Sequence, residues 1–151
     1  MELFTRFDGR INRTQWWIGI VVLVVAVVVI NLAITALFGD GLIGRFLILV
    51  VSLAALWPVV ALASKRLHDR GHPVFPRAAL FYGPGALFSI MSAFNIGFRP
   101  SRAPDGGAVM IPGVAAWVVG LLSLVAFIWA LYELGIREGD AAENAYGPPS
   151  A

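Results

Sequence analysis

The sequence predicts an all-α membrane protein, a bundle of about four transmembrane helices with both termini in the cytoplasm. Hydrophobic residues make up 59% of its 151 residues and charged residues 13%, whereas a soluble domain averages roughly 45–50% and about 25%. Four apolar stretches are each long enough to cross about 30 Å of hydrocarbon as a helix. They are residues 16–38, 42–64, 78–98 and 109–134, within a single membrane domain 1–151 that ends in a polar tail at 135–151.

The first stretch contains no ionisable residue. Arg10 and Arg13 precede it, and residues 32–36 resemble a signal-peptide cleavage site. The apolar part of a signal peptide is usually only about 7–15 residues, which favours a retained transmembrane helix over a cleaved signal. Asn12 is the expected N-cap of this helix, with Gln15 as its capping-box partner.

The later stretches contain helix-disturbing residues. Pro58 lies well inside the second stretch and is expected to kink it, and Gly83-Pro84-Gly85 predicts a kinked or broken third helix. Pro112 lies near the start of the fourth stretch, where a helix accepts proline. Small residues on this last stretch could allow close helix packing; they are Gly113, Ala116 and Gly120.

The basic residues predict the orientation. With four spans, eight basic residues share one side of the membrane with the termini and three lie on the other. The larger group consists of Arg6, Arg10, Arg13, Lys65, Arg66, Arg70, Arg77 and Arg137, and the smaller group of Arg45, Arg99 and Arg102. Because positive loops stay in the cytoplasm, both termini are expected there. With an odd number of spans, Arg137 is the one basic residue that would change sides of the membrane. The charge distribution therefore does not decide whether the number of spans is even or odd.

A polar cluster follows the second stretch and has two interpretations. His68, Asp69 and His72 would share a face if the helix continued to His72, and they could then bind a transition metal or transfer a proton. Gly71 and Pro73 argue against a continuous helix. The simpler interpretation is that Asp69 pairs with a nearby arginine at the membrane surface.

Three motifs, in order along the chain, resemble those of the bacterial membrane family called domain of unknown function 805. The first is Gly9, Arg10, Arg13 and Trp17; the second is Lys65, Arg66, Leu67, His68, Asp69 and Gly71; the third is Gly139, Asn144, Tyr146 and Gly147. The family usually has a tryptophan shortly after the second motif, whereas the first aromatic residue there in this chain is Phe75. The stretch between the second and third motifs is also longer than is typical of the family, with room for two spans rather than one. The resemblance implies a bacterial inner (plasma) membrane location and no known activity.

With four spans, these motifs meet at the cytoplasmic surface. We call this predicted group the polar cap; its members are Gly9, Arg10, Arg13, Trp17, Arg66, His68, Asp69, Gly71, Asn144, Tyr146 and Gly147. Asp69 is expected to pair with Arg10 or Arg13, with the tail folded over them, so that the cap holds helices one, two and four together. The alternative, which the composition of the tail alone favours, is a solvated tail.

The predicted function is non-enzymatic, structural or regulatory, acting through a membrane-protein partner or the anionic headgroups of the bilayer. The alternatives are an oligomeric small channel or transporter subunit and, less favoured, a metal-dependent membrane enzyme at His68, Asp69 and His72. The sequence gives no sign of a cofactor, a catalytic residue set or a nucleic-acid partner.

Overall fold

A computed structural model describes residues 2–150 as a mostly helical chain. Met1 and Ala151, the ends of the predicted domain and tail, lie outside the described residues. The elements in chain order are helix α1 (Glu2–Thr5), α2 (Arg13–Phe38), α3 (Leu42–His68), α4 (Arg77–Ala93), strands β1 (Phe98–Arg102) and β2 (Ala108–Pro112), α5 (Val114–Ala130) and a π-helical turn (Leu131–Ile136). The helical prediction is confirmed, and the small sheet was not predicted.

Helix α2 begins at the expected capping box. The side chain of Asn12 accepts a 2.8 Å hydrogen bond from the backbone N–H of Gln15, and the backbone N–H of Asn12 donates to the Gln15 side chain at 3.1 Å. These two bonds satisfy donors that the first turn of a helix otherwise leaves unpaired. The helix therefore starts at a fixed position directly after Arg10.

Helix α3 continues through Pro58 and ends at His68. Gly71 has a φ of +64°, a left-handed conformation that glycine adopts without steric cost. This conformation turns the chain so that the N–H of His72 donates to the carbonyl of Leu67 at 2.9 Å. The helix therefore does not reach His72.

Among residues 2–150, three helical segments are long and apolar enough to cross a membrane: Arg13–Phe38, Leu42–His68 and Val114–Ile136. The chain therefore has the character of a membrane protein. Helix α4 has 17 residues, a length of about 25 Å at 1.5 Å per residue. That is less than the roughly 30 Å of a hydrocarbon core, so helix length supports three of the four predicted spans.

Helix α4 differs from the predicted third span in two ways. It runs unbroken through Pro84, because a proline removes only one backbone donor and α4 packs along α5. It also ends at Ala93, whereas the predicted span reached residue 98. Asn95 and Gly97, with φ values of +54° and +76°, turn the chain out of the helix.

Residues 98–112 form a β-hairpin, whereas the sequence predicted a loop at residues 99–108 between the third and fourth spans. Strand β1 pairs antiparallel with β2, with Pro100 opposite Met110. The predicted fourth span started at residue 109, but α5 starts at Val114, and Pro112 ends a strand. A short apolar run fits either a helix or a strand, and the turn at Gly106, with a φ of +87°, returns the chain into the pairing.

The core lies at the end of the bundle where α2 begins and α3 and α5 end. Its largest members are Trp16, Leu62, Leu67, Phe81 and Leu134. Most other large apolar side chains of α2 and α5 are exposed, as expected where the solvent is lipid. The opposite end holds the turn between α2 and α3 and the hairpin, where the N–H of Gly113 donates to the Gly97 carbonyl at 2.8 Å.

Candidate functional site

Arg10 lies at the centre of the polar cap. Its Nε donates to Asp69 Oδ1 at 3.0 Å, and the two side chains are only 2% and 4% exposed. Its Nη atoms donate to backbone carbonyls of the tail, at 2.6 Å to Asp140, 3.0 Å to Ala142 and 2.9 Å to Gly147. Arg10 therefore ties the start of α2 to both the end of α3 and the tail, and the predicted pairing with Asp69 is present.

Asp69 is the main acceptor of the polar cap. Its carboxylate accepts hydrogen bonds from Arg10, from Arg66 and, at 2.8 Å, from the Ser150 hydroxyl. Its backbone carbonyl accepts from the N–H of Asp140 at 2.7 Å. A buried carboxylate is tolerated only when it is paired and hydrogen-bonded, and here two guanidinium groups share it.

Arg66 joins α3 to the π-helical turn. Its side chain is fully buried. Its Nε donates to the carbonyl of Leu134 at 2.9 Å, and its Nη2 donates to the carbonyl of Arg137. The last carbonyls of a helix have no partner within the helix, and a cation suits that end of the helix dipole. Arg66 therefore caps the carbonyl end of the π-helical turn that follows α5.

A second buried ion pair, between Arg70 and Glu133, lies beside the first. Arg70 donates to the side chain and the backbone carbonyl of Glu133, and the two side chains are 5% and 12% exposed. Arg137 also donates to the Glu133 carboxylate, at 3.1 Å. Sequence reasoning missed this pair. The available signal was that Glu133 is the one acidic residue in an apolar span, where an ionisable group usually has a partner.

The tail folds over the end of α3. The amide of Asn144 donates to the carbonyl of His68 at 3.0 Å and to the carboxylate of Asp140 at 3.0 Å. The ring of Tyr146 stacks on the His68 ring, with centroids 3.9 Å apart and planes 9° apart. Gly147 has a φ of +118° and pairs with Asn144 in an isolated β-bridge. Residues 139–150 are therefore an ordered part of the polar cap.

Trp17, Arg13 and Gly9 lie at the edge of the polar cap. The Trp17 indole donates to the carbonyl of Gly135 at 3.1 Å. Arg13 donates to the Ile136 carbonyl at 3.2 Å and pairs loosely with exposed Glu138 at 3.4 Å. Gly9, with a φ of +88°, turns the chain just before Arg10.

The segment before α2 also fastens to α3. The Ser64 hydroxyl donates to the carbonyl of Phe7 at 2.8 Å, and the Lys65 ammonium donates to that of Leu3 at 2.9 Å. These two contacts were not predicted, because their acceptors are backbone carbonyls, which no side-chain pattern signals.

The candidate metal ligands do not come together. His68 stacks on Tyr146, Asp69 is held by two arginines, and His72 lies beyond the helix end. Among residues 2–150, no group of three histidine, aspartate or glutamate side chains is placed to hold a metal. Burial, with the positive charges of Arg77 and Arg70, lowers the pKa of His72 below its usual range, against the opposing charges of Glu133 and Asp140.

The comparisons with known proteins identify the family. The family model for "Protein of unknown function (DUF805)" matches residues 4–148. The chain belongs to this family. It is 29% identical over 142 residues to "Uncharacterized protein YiiR" of Escherichia coli K12, an alignment that covers 93% of this chain and 83% of that protein. The protein of the same name from Escherichia coli O157:H7 matches equally well, and no solved structure matches the chain.

Family membership agrees with the resemblance carried by the three sequence motifs. All three motifs contribute to one cluster: Arg10 from the first, Asp69 from the second and Asn144 from the third. The residues that characterise this DUF805 protein therefore converge on the polar cap.

Proposed function

We propose that this DUF805 protein is a non-enzymatic, structural or regulatory protein of the bacterial plasma membrane, acting through a partner protein or lipid headgroups. The observation that supports it is that the buried charged groups in and beside the polar cap bind one another. Arg10, Arg66 and Arg70 donate to Asp69, to Glu133 and to backbone carbonyls. A catalytic site needs groups poised to meet a substrate, whereas these groups bind one another.

We further propose four crossings, with both termini in the cytoplasm. The polar cap joins the start of α2 to the ends of α3 and the π-helical turn, and an even number of crossings brings these points to one side. Helix α4 starts directly after the loop at residues 69–76 and leads to the hairpin at the opposite end. A short helix can still cross when the bilayer thins locally or flanking residues snorkel. The eight basic residues on the cap side favour the cytoplasm for that side.

The small residues of α5 count against the channel or transporter alternative. Ala116 is buried within the chain, and a Cβ added at Gly120 would lie 3.4 Å from the ring of Phe88 on α4. A Cβ added at Gly113 would lie 2.7 Å from the Gly97 carbonyl. Ala116 and Gly113 therefore contribute to packing inside one chain, which weakens the argument that the small residues serve an oligomer interface.

Single cysteines test the topology, because the chain has none of its own. Glu143→Cys is exposed in the tail, and Asp105→Cys is exposed in the hairpin turn. In intact spheroplasts, a membrane-impermeant maleimide should label only the Asp105→Cys protein; after permeabilisation it should label both. Labelling of Glu143→Cys in intact spheroplasts contradicts the four-span arrangement.

Reconstitution tests the functional class. Purified protein in liposomes should give ion and solute flux no greater than protein-free liposomes, and crosslinking in whole cells should capture a membrane partner or lipid. Flux above the protein-free level contradicts the proposal and favours a channel.

A further inference from the structure

We propose that this protein binds a phosphate group in a cavity around Arg45, at the opposite end of the bundle from the polar cap. The cavity has a volume of about 230 Å³ and lies between α3 and α4. Its polar lining is Arg45 and Ser52 from α3 with Ser89 and Ser92 from α4. The rest of the lining is apolar.

The half-buried side chain of Arg45 differs from those of Arg10 and Arg66 in its hydrogen bonding. Its Nε is buried and has no hydrogen-bond partner among residues 2–150. By contrast, the Nε atoms of Arg10 and Arg66 donate at 3.0 and 2.9 Å. Buried donors in native proteins are nearly always hydrogen-bonded, and leaving a donor of a charged group unpaired is costly. A ligand acceptor in the cavity would remove this cost.

The position of Arg45 in α3 also calls for an anion. It lies in the first turn of a helix that begins at Leu42, where the helix dipole is positive and a cation is disfavoured. An anion bound to the guanidinium would offset this unfavourable interaction. The unpaired Nε and the position of Arg45 near the helix start therefore both favour an anionic ligand.

The charges of the residues that line the cavity favour an anion over a cation as its ligand. In this cavity Arg45 is the one charged residue. The Ser89 hydroxyl donates to the Gly85 carbonyl at 3.0 Å and can still accept, while the hydroxyls of Ser52 and Ser92 can donate or accept. Asp40 lines a wider, adjoining cavity of about 560 Å³ together with Arg45 and Ser92, and its side chain is exposed. The carboxylate is therefore screened by solvent, whereas the narrower cavity holds the guanidinium and the hydroxyls.

The chemistry that fits is a phosphate oxyanion, because a guanidinium recognises phosphate through paired hydrogen bonds. Two sources supply it: the headgroup of an anionic phospholipid or inorganic phosphate. The apolar walls, formed by Ile48, Leu49, Phe88 and Ala93, offer contact to the glycerol and acyl part of a lipid. The proposal goes beyond the function proposed above, since it concerns other residues and does not depend on the direction of insertion.

The test compares Arg45→Gln with Arg102→Gln, which removes an exposed arginine of the hairpin. Lipid-stripped full-length protein is titrated with phosphatidylglycerol and observed by native mass spectrometry, and its thermal denaturation is followed in sodium phosphate against sodium chloride at equal ionic strength. Arg45→Gln should weaken binding by about tenfold or more, while Arg102→Gln should bind like the unaltered protein.

Each outcome decides a point. If Arg45→Gln loses phosphatidylglycerol binding, the ligand is a lipid headgroup. If Arg45→Gln loses only the thermal stabilisation by sodium phosphate, the ligand is the free anion. Equal binding by Arg45→Gln and the unaltered protein in both titrations overturns the proposal, as does equal weakening by Arg45→Gln and Arg102→Gln. If Arg45→Gln does not fold, Ser92→Leu fills the cavity with Arg45 retained, and undiminished binding by that variant overturns the proposal as well.

Discussion

The backbone of Gly139 lies directly against the carboxylate of Asp69, so that a Cβ atom added at Gly139 would overlap Oδ2. The same carboxylate is held by Arg10 and Arg66. This close approach is possible only because residue 139 has no side chain. The third sequence motif therefore contributes its glycine to the same ion-pair cluster to which the first two motifs contribute their charges.

Gly139→Ala should destabilise the folded protein. The added methyl group must displace the Asp69 carboxylate or the tail, and overpacking of this kind typically costs about 1–3 kcal/mol. The measurement is the midpoint of thermal denaturation in detergent. The control is Gly83→Ala, because a Cβ at Gly83 meets nothing within 4 Å and alanine favours a helix by about 0.5–1 kcal/mol. A Gly139→Ala protein as stable as the Gly83→Ala protein would show that this close approach does not exist.

Asp69→Asn should cost far more stability than Glu138→Gln. Removing one partner of a buried ion pair leaves uncompensated buried charge and costs about 3–5 kcal/mol. In the Asp69→Asn protein that uncompensated charge lies on two arginines, Arg10 and Arg66. The exposed pair between Arg13 and Glu138 should contribute only about 0–1 kcal/mol. Folded yield and denaturation midpoint measure both effects. Exchanging Arg10 and Asp69 gives a further check: if the single changes and the double exchange all leave folded yield unchanged, the pairing has no structural role.

Asn144→Ala should release the tail while the helices stay folded. The amide of Asn144 holds the carbonyl of His68, and Tyr146 stacks on the His68 ring only while the tail is docked. Hydrogen–deuterium exchange of residues 139–150 should then rise about tenfold, as expected for the loss of about 1.4 kcal/mol. Glu143→Ala, at an exposed neighbouring position, should leave exchange unchanged. Equal exchange in the two variants would mean that the tail is held by other contacts.

The motifs of the polar cap were predictable because of where they lie along the chain. Each charged motif flanks an apolar stretch, so threading the stretches through a bilayer brings Arg10, Asp69 and Arg137 to one surface without any knowledge of packing. The pairing of Asp69 with Arg10 then followed from charge. Asn12 and Gln15 similarly predicted the start of α2, since a capping box is a local interaction within four residues.

The contacts that the sequence did not predict depend on backbone geometry. The carbonyls of Leu134 and Arg137 accept from Arg66 because the chain passes from α-helix into a π-helical turn, which no residue pattern signalled. The hairpin at residues 98–112 was missed because its second strand is apolar and continuous with α5. Hydropathy measures affinity for lipid, and it does not separate a strand from a helix over so short a run.

The stability of the protein should fall between neutral and mildly acidic pH, and His72→Gln should reduce this fall. Burial and the charges of Arg77 and Arg70 lower the pKa of His72 below its ordinary value of 6.5. Below pH 6.5 the unfolded chain therefore binds this proton more readily than the folded chain, and folding loses stability until the lower folded pKa is passed. Denaturation midpoints at pH 7.5 and 5.5 measure the loss. Because both proteins keep Glu133, Asp140, Arg70 and Arg77, the difference between them isolates His72, and an identical loss in the two proteins would exclude its contribution.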